Sequence, residues 1–129
     1  MSVPLYAASD AVSSVLGFAL DGLALRQRTI ADDIANIDTP DYRARGVDFE
    51  SALRSAISEG GDAGAAIQSA IAGSAPIVSA TSDPVGANGN NVDLQKETLA
   101  AMQSQFQYQM VSRAVTDRFD LVRTVAAGA

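Results

Sequence analysis

The sequence predicts an all-α fold. Long N- and C-terminal helices pair as an antiparallel, coiled-coil-like hairpin, with a turn, a short helix and a flexible Gly/Ala-rich segment between them. Two observations carry that expectation. Apolar residues recur at steps of three, four and seven near both ends of the 129-residue chain, which is helical spacing. Between the ends the chemistry changes: no Lys or Arg lies between Arg54 and Lys96, and no aromatic residue between Phe49 and Phe106. The chain therefore divides into a helical arm at 1–57, a low-complexity middle at 58–90 and a second helical arm at 91–129, together the size of one domain.

In the first arm, Val12, Leu16, Ala19, Leu23, Ile30, Ile34 and Ile37 form one stripe, with Asp21, Arg26, Arg28, Asp32 and Asp33 between them. Gly17 and Gly22 each weaken a helix by about 1 kcal/mol relative to Ala, a cost that close approach of a neighbouring helix would offset. The helix is expected to run from about Asp10 to Ile37 and to stop there, because Thr39, ahead of Pro40, is pushed out of the α region. Asn36, Asp38 and Asp41 are turn formers whose side chains bond nearby backbone groups. Tyr42 to Arg45 is expected to be extended. Asp48 then caps a short second helix with Leu53 and Ile57 on one face.

The middle segment holds six of the ten glycines, with Pro76 and Pro84. Such a composition buries too little apolar area to offset its backbone entropy. A short helical turn is expected at Ala65–Ala72 and a short extended piece at Pro76–Ala80; the rest reads as a flexible excursion.

The second arm runs from Asn91 to about Ala127. Asn91 or Asp93 caps it, Asp93 and Glu97 suit the positive end of the helix dipole, and Gly128 sits where a helix stops. Met102 to Met110 alternates with period two, the pattern of a strand. Gln and Met are good helix formers, however, and helical spacing resumes on both sides, so the segment is read as helix. Leu16, Leu23, Ile30 and Ile34 are expected to pair with Tyr108, Val115, Phe119 and Val122. A second stripe (Leu99, Phe106, Met110, Ala114, Leu121, Val125) is left over for another neighbour.

Composition narrows the function. There is no His, Cys or Trp, which removes disulfides, thiolate zinc sites and imidazole-dependent catalysis. Fifteen acidic against nine basic residues give a net charge of −6, which argues against nucleic acid as a partner. Carboxylates remain, but Asp32 and Asp33 diverge on a helix, and Asp117 and Asp120 lie near Arg118 and Arg123; they read as solvated faces. The Gly86–Asn91 run lacks the Gly-Lys-Ser/Thr of a phosphate loop. No catalytic, cofactor-binding or metal site and no small-molecule substrate are expected. The N-terminus has its first base at Arg26, unlike a secretory signal, and the apolar stretches fall short of a membrane span. Tyr42 and Arg43 form a small basic-aromatic point of the kind favoured in protein interfaces. With Ala at 24 positions, the core is thin and would be completed by partners.

The run Ile34-Ala-Asn36-Ile-Asp-Thr39-Pro40-Asp-Tyr42-Arg43-Ala-Arg45 resembles the N-terminal signature of the flagellar axial proteins (rod, hook and hook-associated). Its continuation Gly46-Val-Asp48-Phe49-Glu50 resembles the proximal-rod branch of that family. Gly89-Asn90-Asn91-Val92-Asp93-Leu94, then Glu97 and Gln107-Tyr108-Gln109, are similar to the family's second block. The resemblance covers about 16–57 and 88–126, and departs from the family where Asp41 stands in place of its usual Gly. It implies a structural subunit of the flagellar basal body that leaves by the flagellar type III export apparatus without a cleaved signal. The subunit would assemble with copies of itself and other rod proteins into a helical tube, contact MS-ring and rod-junction proteins, and transmit torque. On that reading Asn36 and Thr39 lock the turn and Tyr42 and Arg43 meet a neighbour. The rival reading is a small secreted helical-hairpin protein acting through a protein partner.

Overall fold

A computed structural model describes residues 5–128. The chain is mostly helical. Its elements in order are α1 (Leu5–Ala35), β1 (Arg45–Asp48), α2 (Glu50–Gly60), α3 (Gly64–Ala72), β2 (Ile77–Ala80) and α4 (Leu94–Ala127). At about 1.5 Å per residue, the 31 residues of α1 and 34 of α4 make rods of roughly 46 and 51 Å. The Met102–Met110 run lies inside α4, so helix propensity decides over its period-two pattern.

α1 ends at Ala35, four residues earlier than Pro40 alone requires. The Asn36 side-chain amide donates to the Asp32 carbonyl (2.8 Å), and the Asn36 backbone N–H reaches the carbonyls of Asp32 and Asp33. A side chain that competes for helical carbonyls ends the helix before the proline does.

β1 and β2 pair antiparallel, with Arg45 opposite Ala80, Val47 opposite Val78 and Asp48 opposite Ile77. The all-α expectation did not include this sheet. Four-residue strands with one paired edge are too short to leave a readable alternation. β2 falls within the extended piece expected at 76–80, while β1 begins only at the last residue of the extended 42–45 and runs on through Asp48. Val47 and the preceding Ala44 are buried, while all of β2 is exposed.

The core consists of Phe18, Ala19 and Leu23 of α1, Phe49, Ala56 of α2 and Ile71 of α3, with Ala52, Leu53, Ile67 and Val111 packed around them. Within 58–90, α3 and β2 fall at the helical turn and extended piece expected there; what the composition did not indicate is that Ile67 and Ile71, four residues apart, give α3 an apolar face packed into the core. Gly60 lets α2 meet that face, since a Cβ there would overlap Ile67. The expected α2 face is also shifted: Ala52, Leu53 and Ala56 turn inward, while Ile57 is exposed.

Gly22 explains why α1 tolerates a glycine at its centre. A Cβ there would strike the Phe49 ring, so the missing side chain is the socket for that ring. Arg26, one turn on, lies 4.7 Å from the ring centroid, donates to the Val47 carbonyl (2.7 Å) and pairs with Glu50 (2.7 Å). One arginine thus joins α1, β1 and the first turn of α2.

α4 lies along α1, and rising α4 numbers meet falling α1 numbers: Ala101 and Tyr108 line a cleft with Gln27, while Val115 and Val122 line one with Leu16 and Asp10. Of the residues expected to pair, Leu23 and Ile30 are buried, Leu16, Ile34 and Val115 are half-buried, and Phe119 (66%) and Val122 (51%) are exposed. Ser13 and Gly17, facing Phe119 and Val122, are too small to cover them, and a cleft of about 390 Å³ remains.

Gly22→Ala would stabilise an isolated helix by about 1 kcal/mol. Here it is expected to destabilise the protein by about 1–3 kcal/mol through overpacking. In a Phe49→Ala background the same change should become neutral or favourable. Urea unfolding of the four proteins in this cycle checks the sign reversal.

Candidate functional site

The turn after α1 is built from its own side chains. The Thr39 hydroxyl donates to the Asn36 side-chain oxygen (3.0 Å), and the Thr39 amide donates to the Asn36 carbonyl (3.0 Å). Pro40 follows with its ring exposed. Asp41 then adopts φ +58°, the left-handed region that Asp tolerates better than most residues. This is the position where the resembled pattern has Gly, and here Asp41 itself occupies the positive φ. Against it lies Gly89 at φ +80°, where a Cβ would collide with the Asp41 carboxylate.

Asn90 and Asn91 bind this turn to the start of α4. The buried Asn90 amide donates to the carbonyls of Asn36 (2.8 Å) and Thr39 (2.9 Å), and its oxygen accepts from Val92 N–H (2.7 Å). The buried Asn91 oxygen accepts from Ala44 N–H (2.7 Å), while its amide donates to the carbonyl of Asp83 (3.2 Å). Two adjacent side chains therefore hold three backbone segments separated by up to about fifty residues. Asp93 caps α4, accepting from the N–H groups of Gln95 (3.0 Å) and Lys96 (3.2 Å). The cap is Asp93 rather than Asn91, whose amide is used across the fold.

Asp33 is the other fixed point. It is fully buried, accepting from the Tyr42 hydroxyl (2.9 Å) and from Arg45 N–H (3.0 Å). This corrects its reading as part of a solvated face: Asp33 continues the inward line of Leu23, Arg26 and Ile30, a position the apolar pattern alone does not mark. Burial, and then the Asp33 carboxylate, push the Tyr42 hydroxyl above its ordinary value.

Glu97, expected at the solvated start of α4, is also buried. Burial first, and the Asp33 charge second, push its carboxyl up. Arg26, Arg45 and Lys96 share its small cleft, but they pair with Glu50, Asp32 and Asp83 respectively. Among the described residues no group of three or more Asp or Glu converges as metal ligands would. The chemistry of this site is the hydrogen bonding of one backbone segment to another.

The structure brings Asn36 and Thr39 against Asn90, and Tyr42 against Asn91, whose backbone N–H donates to the Tyr42 carbonyl (3.4 Å). It places Phe49 in the core and Asp48 at the head of α2, where its carboxylate takes Ser51 N–H (3.0 Å) and hydroxyl (2.6 Å); that bonding holds it below the usual carboxylate range. Tyr108 lies apart, in the cleft with Gln27, and Leu94 and Arg43 are exposed. In the sequence Asn90 stands only within the second family-like block, and Asp33 and Arg26 only among the polar residues of the first arm, because no local pattern distinguishes a cross-chain tie from a turn former or a surface charge.

Asn91→Ala leaves Ala44 N–H buried without an acceptor and should destabilise the protein by about 1–3 kcal/mol in denaturant melts. Glu97 binds its proton more tightly folded than unfolded, so its ionised form opposes folding, and that opposition fades as pH falls through the folded value. Glu97→Gln should accordingly raise the urea midpoint at pH 7, with the gain shrinking steadily toward pH 4.

No family model matches the chain. It is similar to the flagellar basal body rod protein FlgB of Bacillus subtilis (strain 168), with 32% identity over 114 residues covering 85% of this chain and 88% of the relative. FlgB of Borreliella burgdorferi is 32% identical over 119 residues, covering 82% and 88%. FlgB of Escherichia coli (strain K12) is 30% identical over 122 residues, covering 83% and 88%. On identity at this level across more than four-fifths of its length, the chain belongs to the FlgB family of flagellar basal body rod proteins.

Proposed function

We propose that the chain works as a structural subunit of the proximal rod in the flagellar basal body, not as an enzyme. One observation carries the mechanism. Leu99, Met102, Phe106, Met110, Leu121 and Val125 are all more than half exposed. At 100° per residue all but Val125 fall on the side of α4 away from α1, along about 33 Å. An apolar ridge of that length on a charged protein marks a protein interface.

In this reading α1 and α4 act as an antiparallel coiled-coil-like pair, and the outer face of α4 packs against neighbours. Those neighbours are copies of the chain and other rod proteins, with MS-ring and rod-junction proteins at the base. Repeated heterologous contacts build a helical tube. Torque passes through many shallow contacts along the ridge. The turn at Asn36–Tyr42, tied to Asn90 and Asn91, sets the angle at which the chain leaves the helical pair, and exposed Arg43 meets a neighbour. The type III export apparatus delivers the subunit. Support comes from family membership, from the exposed ridge, and from the absence of any helix among the described residues long and apolar enough to cross a membrane.

Phe106→Gln with Met110→Gln changes only exposed side chains and should alter monomer stability by less than about 0.5 kcal/mol each. Export should persist, while incorporation into purified basal bodies and swimming should be lost. Wild-type motility with the variant present in basal bodies would show that the ridge does not mediate assembly.

A further inference from the structure

We propose that the cleft between α1 and α4 around Ser13 and Gly17 receives the outer face of α4 from a second copy of this chain. Phe106 of that copy lies over Gly17, Met110 over Ser13, and Arg113 against Asp10. This rests on the reading of the chain as a self-assembling subunit and adds which two surfaces meet.

The cleft is a notch of about 390 Å³ whose apolar walls are Leu16, Leu20, Val115 and Phe119, with Asp10 and Arg118 as its charged residues. Its floor is open: a Cβ on Gly17 would meet nothing within 4 Å. The ridge offers matching knobs. Phe106 (63% exposed) and Met110 (54%) are four residues apart, as are Ser13 and Gly17. Both pairs are therefore spaced by about 6 Å along their helices. The match continues one step further, because Arg113 lies three residues after Met110 and Asp10 three before Ser13. A second α4 running opposite to α1 keeps all three pairings in one register. Asp10 and Arg113 are exposed and have no ion pair among the described residues; Arg118 shares the cleft with Asp10 but forms no ion pair with it, so Asp10 can take Arg113 of the second copy.

The ridge and the cleft are different surfaces of the same molecule. The ridge faces away from α1 and the cleft lies on the α1 side, so one copy can donate and accept together. Such a contact is heterologous, so it adds copies one after another, into a ring or an open helix, instead of closing into a pair. Two copies meeting ridge to ridge would instead form a closed dimer and stop.

The chain has no cysteine, so introduced thiols report only the contact they are placed in. Ser13→Cys with Met110→Cys in the full chain, oxidised in isolated basal bodies, should give a ladder of covalent multimers, with neither single variant doing so. Asp10→Arg and Arg113→Asp should each lower the cross-linked yield by about tenfold, and the two together should restore it. Basal bodies that contain the variant in swimming cells but give no ladder overturn the proposal and leave the rod reading standing. Dimers formed by Met110→Cys alone, or rescue of Arg113→Asp by Asp117→Arg, also overturn it in favour of ridge-to-ridge pairing. Absence of the wild-type chain from basal bodies would instead remove the rod reading itself.

Discussion

Two buried side-chain amides hold this molecule together. Asn90 and Asn91 lie next to one another, yet their partners are Asn36, Thr39, Ala44 and Asp83. The end of α1, the entry to β1 and the start of α4 meet nowhere else through so many direct bonds. An asparagine side chain suits this position because it donates and accepts at once, and backbone groups leaving regular structure need both. Once the two amides are placed, α4 begins beside the end of α1 and has to run back along it. The Asp93 cap and the Asp33–Tyr42 bond then fix where each helix starts and stops.

The apolar side chains are divided unequally. Those of α1, α2 and α3 close around Phe49, with Gly22 as its socket and Arg26 across its ring. α4 gives that core only Val111 and meets α1 with small or polar residues, including a fully buried Ser104 whose hydroxyl has no partner among the described residues. Its larger side chains face outward. A chain with 24 alanines has little apolar area to spend twice, so the side chains committed to a neighbour are withheld from its own interior.

The helices, the Thr-Pro turn and the Asp93 cap were readable because each depends on residues within one or two turns of sequence. Period, pre-proline sterics and capping are local effects. The departures share the opposite property. Asp33 looks like any surface acid until Tyr42 and Arg45 fold back onto it. Glu97 looks like a dipole-compensating acid until α1 covers it. Ile67 and Ile71 are two isoleucines in a Gly/Ala field, too few to outweigh the segment's composition, and they become core only because Gly60 lets α2 close over them. Phe119 and Val122 show the reverse: their period places them on the seam, but Ser13 and Gly17 opposite them lack the volume to fill it. Heptad position states which way a side chain points, and the partner's size decides whether it is covered.

That mismatch bears on how a subunit of this kind carries load. A seam packed along its whole length would give a stable hairpin with nothing left to grip. Here the seam is tight near Leu23 and Ile30, where the amide ties and the Arg26 junction hold it, and opens toward Ser13 and Gly17. The rigid end sets orientation, and the open end leaves apolar surface that only a neighbour can cover. Covering it would tighten the host's own helix pair, because the entering side chains would touch α1 and α4 together. On that proposal, folding and assembly would be coupled through one surface, each added copy stiffening the copy that receives it.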